Sequence, residues 1–308
     1  MKSLQGVLLY ILGILLIIVG VAGVVLPILP GWVFIFMGLS IIAPRVAMRL
    51  RWWLFRRRFK KEIFFFKKWK RLGIEAGYTT RHFSLHLSKT DDLLTENNQT
   101  HFLKIFAEAR ANIDRVFEPA DKFILLNQVH GDRIAVIDND VFLQKPGFYH
   151  QESADGALTC LPGVALLVFS ADCLSVFFSA GEWLGLAHAG WRGTKAGIAP
   201  KMLKLISEKS GVPISKVRII FGPRIGPDAY EVGEEFEKSF PKESLHRQKG
   251  KLLFDLGAEN KRQLLEAGAS RRKLLDHGIC TVQQNADLYS FRKEGDKAGR
   301  IISFITKL

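Results

Sequence analysis

Cysteine is scarce in this chain. Its 308 residues hold three, Cys160, Cys173 and Cys280, with no C-x-x-C pair among them. That excludes a disulfide framework and the paired-thiol zinc modules, and it suits a reducing compartment. Nucleotide loops are missing as well. The glycine-rich "HAGWRGTKAG" (188–197) lacks the GK[ST] ending of a P-loop and the GxGxxG order of a dinucleotide site. No internal repeat or low-complexity tract appears, and 48% hydrophobic residues over this length support a full core.

The amino-terminal region lacks charge altogether. Between Lys2 and Arg45 there is no Asp, Glu, Lys, Arg or His, and the apolar run is longer than the roughly 20 residues one membrane-spanning helix requires. Pro27, Pro30 and Gly31 interrupt it where a hairpin would turn, so residues 1–44 are expected to form a transmembrane helical hairpin. The run is too long for a cleaved signal peptide, and no convincing small-residue cleavage site follows it.

Acidic residues are nearly absent from the next segment. Residues 45–71 carry twelve Lys or Arg against Glu62 alone, so with Lys2 they account for all but about two of the formal +14 charges. The rest of the chain is close to neutral and gives no reason to expect nucleic acid as a partner. Basic residues directly after an apolar run mark its cytoplasmic flank, so the remainder of the protein is expected on the cytoplasmic side of a membrane. Trp52, Trp53, Trp69 and the phenylalanines at 64–66 alternate with those cations, a pattern expected of a linker lying on anionic headgroups.

From residue 72 to 308 short apolar runs alternate with turn residues. "FILLNQVH" (123–130), "RIAVID" (133–138), "VALLVFS" (164–170), "LSVFFSA" (174–180), "WLGLAHA" (183–189) and "KVRIIFG" (216–222) read as strands of a buried sheet. Helical spacing puts Ala199, Met202, Leu203 and Ile206 on one face of a segment ending at Gly211, and "ENKRQLLEAG" ends at Gly268. Consecutive strands with few helices predict an α+β domain, a mixed β-sheet core flanked by helices. The loop at 188–197 lies between a strand and a helix, where backbone amides beside Arg192 form a candidate anion site.

Six motifs occur in order: "NQVHGDR", "ADGALT", "SADCLSVFF", "AHAGWRGTKAGI", "FGPRIGPDAYEVGEE" and "CTVQQNADLYSFRKEGDKAGR". Together they closely resemble the YfiH-like, laccase-domain family, described first as polyphenol oxidases and later as zinc-dependent purine nucleoside phosphorylases with adenosine deaminase activity. The resemblance runs from about Gly77 to Ile305. "LPILPGWVFIFMGLSII" near the amino terminus separately resembles the small PGPGW membrane family. One departure is Ser175, where the laccase-domain family commonly has proline.

The resemblance implies that His130, Cys173 and His188 bind a metal, and two imidazoles with one thiolate suit Zn²⁺ better than copper while leaving a fourth position open. A multicopper oxidase needs paired HxH motifs as well; the chain has eight histidines and no such pair, so polyphenol oxidation is the less favoured activity. The implied reaction is phosphorolysis of adenosine, inosine, guanosine or methylthioadenosine by inorganic phosphate, with deamination of adenosine at the same site. For that chemistry Asp172 and Asp155 are candidate proton shuttles. Arg192, with the Gly193 loop, and Arg81 are candidates to hold phosphate. Tyr230, Glu231, Tyr289 and Arg292 are candidates to line the nucleoside pocket. An alternative role attached to some members of that family is editing of cell-wall precursors at the cytoplasmic membrane face.

Overall fold

A computed structural model of the chain describes residues 62–83, 120–139, 143, 145, 147–151 and 153–307. In chain order the elements are β1 (Ile63–Phe65), helix α1 (Lys67–Lys70), β2 (Ile74–Thr79), β3 (Lys122–Leu126), β4 (Ile134–Ile137), β5 (Gly147–Gln151), β6 (Gly156–Thr159), β7 (Val164–Ser170), β8 (Leu174–Ala180) and β9 (Trp183–Ala189). Then come α2 (Trp191–Lys195), α3 (Ile198–Ser210), β10 (Arg218–Phe221), β11 (Leu245–Gln248), β12 (Lys251–Phe254), α4 (Leu256–Glu266), β13 (Leu274–Asp276), α5 (Phe291–Glu294) and β14 (Ile301–Lys307).

Two six-stranded sheets form the core, in the orders β1-β2-β14-β7-β3-β5 and β13-β10-β8-β9-β6-β4; β11 and β12 make a separate hairpin. Both large sheets are mixed. β3 runs parallel to β5 and β7, β4 to β6, and β10 to β13, while the other pairings in these sheets are antiparallel. This is the α+β architecture expected from the strand-rich pattern.

The period of two along each strand sorts its side chains into layers. Ile124, Leu166 and Val168 of the first sheet pack with Phe177, Leu186 and Ile220 of the second in one shared cluster. The alternate residues Leu167, Phe169, Ile302 and Phe304 build an outer cluster with Phe83 and Phe123. On the second sheet's other face, α3 buries Ala199, Met202, Leu203 and Ile206 against Val176 and Phe178. Strands covered on both faces need apolar residues throughout, which is why "VALLVFS" and "LSVFFSA" are buried at every position. Across the interface the Ser303 hydroxyl donates to the Ser175 hydroxyl at 2.9 Å, so the serine that replaces a common proline ties β14 to β8.

The structure moves the start of this domain upstream of residue 72. β1 pairs antiparallel with β2, and the Phe66 amide donates to the Ala76 carbonyl at 2.8 Å. Phe66 and Trp69 are each 5% exposed. The Phe66 ring lies 5.0 Å from Phe177 and 6.0 Å from Tyr78, touching both sheets, and Phe64 stacks on Tyr78 at 5.0 Å. These aromatics therefore fill a core instead of resting on headgroups, because the β1–β2 pairing turns them inward. Among the described residues no helix is long and apolar enough to cross a membrane. The hairpin expected over 1–44 and the linker residues through 61 lie outside the described residues.

Candidate metal centre and substrate cavity

Three chain segments converge at one end of the two sheets. His130 lies in the loop after β3, Cys173 in the turn between β7 and β8, and His188 within β9, paired with Ser175 of β8. Their ligand atoms all lie within 4.8 Å of one another, and the His130 and His188 rings meet edge to face at 4.9 Å. Among the described residues this is the single cluster of His, Cys, Asp or Glu able to hold a metal ion.

Asp155 builds the cluster from behind. Its fully buried carboxylate accepts from the backbone amides of Val129, His130 and Gly131 at 3.1, 2.9 and 2.8 Å, and from Nδ1 of His188 at 2.8 Å. The amides hold the loop in which His130 takes a left-handed backbone (φ 60°), a conformation costly for any residue with a side chain. The bond to Nδ1 leaves Nε2 of His188 for the centre, the usual carboxylate support of a metal-binding imidazole. Asp155 is absent from the cavity wall. It is a positioning group, and the proton-shuttle role expected for it gives way to this one because it is fully buried behind the cluster and off the cavity wall.

Charge is concentrated here. Burial alone would push the Cys173 thiol up, but the His188 imidazolium and hydrogen bonds from both histidines outweigh it and bring the thiol down to about 6. Burial opposes charge on His188 too, and there the Cys173 thiolate and the Asp155 carboxylate prevail, raising it to about 9. Asp155 itself is held below the usual carboxylate range: burial would raise it, and His188 with the Gly131 and Val129 amides lowers it further than that. A thiolate is the form that ligates metal.

The cluster opens onto a cavity of about 620 Å³. Of the residues singled out in the sequence, Asp172, Arg192, Tyr230 and Arg292 line it, while Arg81, Gly193, Glu231 and Tyr289 do not. Arg81 is engaged elsewhere: it donates to both Glu294 carboxylate oxygens at 3.0 and 2.9 Å and to the Asn285 carbonyl, over the Tyr289 ring. Tyr289 is buried at 7% exposure. Glu231 is exposed and paired with Lys251 at 2.7 Å. Gly193 is buried inside α2, where an added Cβ would stand 2.7 Å from the Gly131 carbonyl oxygen. With α2 only five residues long, the anion site expected at its start reduces to the Arg192 side chain, stacked 4.3 Å from Trp191.

Among the described residues Asp172 is the one carboxylate in the cavity wall. Its backbone is left-handed (φ 97°), and its oxygens accept from the Thr281 hydroxyl at 2.5 Å and the Arg292 amide at 2.6 Å. Those bonds fix the turn that presents Cys173. Arg292 in turn lies 5.3 Å over the Tyr230 ring and donates to the Glu231 carbonyl. Burial pushes the Tyr230 phenol well above its ordinary value, so it keeps its proton at neutral pH.

Several site residues escaped the sequence reading. A Cβ on Gly190 would fall 2.9 Å from Cys173 Sγ and 3.1 Å from His130 Cδ2, so glycine there is what lets the cluster close. The Gln128 side chain clasps Phe169, donating to its carbonyl and accepting from its amide at 2.7 Å each, which docks the His130 loop onto β7. Asn127, Ser170 and Arg300 complete the wall. Gln128, Ser170 and Gly190 stand inside motifs whose neighbours carry the obvious chemistry, and Arg300 closes the last one.

Two mixed sheets that close on a His–Cys–His donor set beside a cationic cavity define an α+β protein with a candidate metal centre. The chain belongs to the multi-copper polyphenol oxidoreductase laccase family, whose model matches residues 76–307. The crystal structure of Bacillus licheniformis hypothetical protein YfiH superposes with a TM-score of 0.67 at 24% identity, covering 80% of this chain and 97% of that one, which shows the shared fold. Purine nucleoside phosphorylase YlmD of Geobacillus stearothermophilus is 32% identical over 256 residues, 76% of this chain and 90% of the relative. Adenosine deaminase RL5, from an unknown prokaryotic organism, is 28% identical over 200 residues, 60% of this chain and 75% of the relative. Despite the family's title, the donors present fit one metal ion and do not fit a copper cluster among the described residues.

Proposed function

We propose that the chain is a zinc-dependent purine nucleoside phosphorylase acting on adenosine, inosine, guanosine and methylthioadenosine. Adenosine deamination is a second activity of the same site, and residues 1–44 tether the enzyme to a membrane with the site on the cytoplasmic side. One juxtaposition carries the reading: the His130, Cys173 and His188 donors share a cavity with Arg192, Arg292 and Tyr230. The relatives named for phosphorolysis and for adenosine deamination point the same way.

His130, Cys173 and His188 would hold the ion, and Zn²⁺ held by them would supply Lewis acidity to the site. The chain's own residues do the rest. Arg192 and Arg292 hold the phosphate dianion against the sugar, Arg292 being aimed by the Glu231 carbonyl and the Tyr230 ring. Asp172, the cavity's carboxylate, passes the proton that deamination requires. Aromatic and aliphatic lining from Trp191, Ile225, Leu256 and Phe291 excludes water from the cavity and strengthens those charges.

The test uses the full chain in detergent. Metal content is measured, and free base released from each nucleoside is followed with and without phosphate. The reading expects one zinc per chain and phosphate-dependent release, both lost in Cys173→Ala. A metal-loaded protein that releases no base from any of the four nucleosides overturns it.

A further inference from the structure

The cavity lies where the ends of both sheets meet, so its polar lining falls into two sets. One belongs to the second sheet's side: Arg192 follows β9, and Arg292 lies over Tyr230. The other belongs to the first sheet: Asn127 follows β3, Ser170 ends β7, and Arg300 enters β14, whose next residue, Ile301, pairs with Ser170. Arg300 donates from Nη1 to the carbonyls of Ala298 and Gly299, which holds its guanidinium at that entry.

Ser170 stands out within the second set. It is 3% exposed, it lines the cavity, and its buried hydroxyl has no hydrogen-bond partner. Buried hydroxyls are nearly always satisfied, and leaving one unmade is costly, so a ligand that completes the bond gains accordingly. The Ser303 hydroxyl, in the same fold and equally buried, is paired with Ser175. Of the buried side-chain polar atoms without a partner among the described residues, Ser170 Oγ is the one that belongs to the cavity lining.

Phosphorolysis itself requires two walls. Phosphate attacks C1′ of the sugar from the face opposite the departing base, so nucleophile and leaving group need separate polar partners. Resting on the phosphorylase reading, which gives phosphate to Arg192 and Arg292, we propose that Ser170, with Asn127 and the Arg300 guanidinium, forms the wall that holds the purine and stabilises it as it leaves. The C1′–N9 bond breaks and its electron pair departs with the purine, while a phosphate oxygen forms the new bond to C1′. The Ser170 hydroxyl donates to N7 as negative charge develops on the ring, the Arg300 charge lies beside it, and the released purine takes its proton from water. A donor aimed at charge that grows during the reaction raises turnover more than ground-state binding.

The experiment compares guanosine with 7-methylguanosine, whose N7 accepts no hydrogen bond and whose base departs neutral. Full-length wild type, Ser170→Ala and Arg300→Met are assayed with inorganic phosphate on both nucleosides. On guanosine each variant is expected to lose about tenfold or more in kcat/KM, the scale of one unmade hydrogen bond to a charged group. On 7-methylguanosine the loss is expected to stay below about threefold, since the bond is absent from both enzymes. A folding or positioning defect lowers both rates equally; equal losses, or none, overturn the inference while wild-type turnover leaves the phosphorylase reading standing. Wild type that releases base from neither nucleoside overturns that reading, and the inference with it.

Discussion

Replacing Asp155 with asparagine keeps the shape of the group and removes its charge and one acceptor. Oδ1 accepts from the His130 amide and His188 Nδ1, and Oδ2 accepts from the amides of Val129 and Gly131. In either orientation the asparagine nitrogen faces two N–H donors. With the nitrogen at Oδ2 the His130 loop loses two of its three anchors. With the nitrogen at Oδ1 the His188 ring must present Nδ1 as an acceptor, which places its proton on Nε2, the atom the metal needs. Two charge-assisted bonds at about 1.5–3 kcal/mol each put the stability cost near 3–6 kcal/mol. At about 2–4 °C per kcal/mol for a domain of this size, the melting temperature falls by about 6 °C or more. Loss of a supporting carboxylate costs about 10–100-fold in metal affinity. Thermal melts and chelator competition measure the two effects. An Asp155→Asn protein with wild-type melting temperature and wild-type metal affinity refutes this account of the site.

Gly190→Ala places a methyl group 2.9 Å from Cys173 Sγ while its own backbone, at φ −74°, remains ordinary. The protein is expected to fold with a nearly wild-type melting temperature and to lose bound metal, read by elemental analysis of the purified chain. Phe66→Ala empties a position packed against both sheets and is expected to cost about 3–5 kcal/mol, seen as a lower midpoint in denaturant titration. Arg224 grips Asp276 through two bonds of 2.9 and 2.8 Å, and the Asp276 carboxyl is held below its ordinary value: burial would raise it, and the Arg224 guanidinium more than compensates. A depressed folded-state value means stability that is present above the unfolded value of about 3.9 and is lost as pH falls through the folded one. Melting temperature should therefore drop below about pH 4, and the drop should be shallower in Asp276→Asn.

The sheets were legible to the extent that single strands announce themselves. β7, β8 and β9 match the runs read from the sequence residue for residue, because burial on both faces demands unbroken apolar stretches. β14 and β2 sit side by side in the first sheet and went unread: "IISFITK" and "IEAGYT" are interrupted by small or polar residues that only their pairing explains. The metal donors were legible through residue type and motif. The supports behind them were not: Asp155 was read as a proton shuttle, and nothing local signals its hold on amides about 25 residues away in sequence. Residue type also cannot give direction. Arg81 and Arg192 are the same chemistry, yet one is locked to Glu294 and the other lines the cavity.

The stitching of β1 into the sheet also has a mechanical meaning. Any tension on the chain ahead of Ile63 arrives at an edge strand joined to β2 along three residues, and then at Phe66 and Trp69. Such a load falls first on that three-residue ladder and next on the aromatic contact that bridges the two sheets. A pull from the amino-terminal side would therefore loosen the sandwich at Tyr78 and Phe177 while the Asp155 clamp, on other strands, still held the donors together.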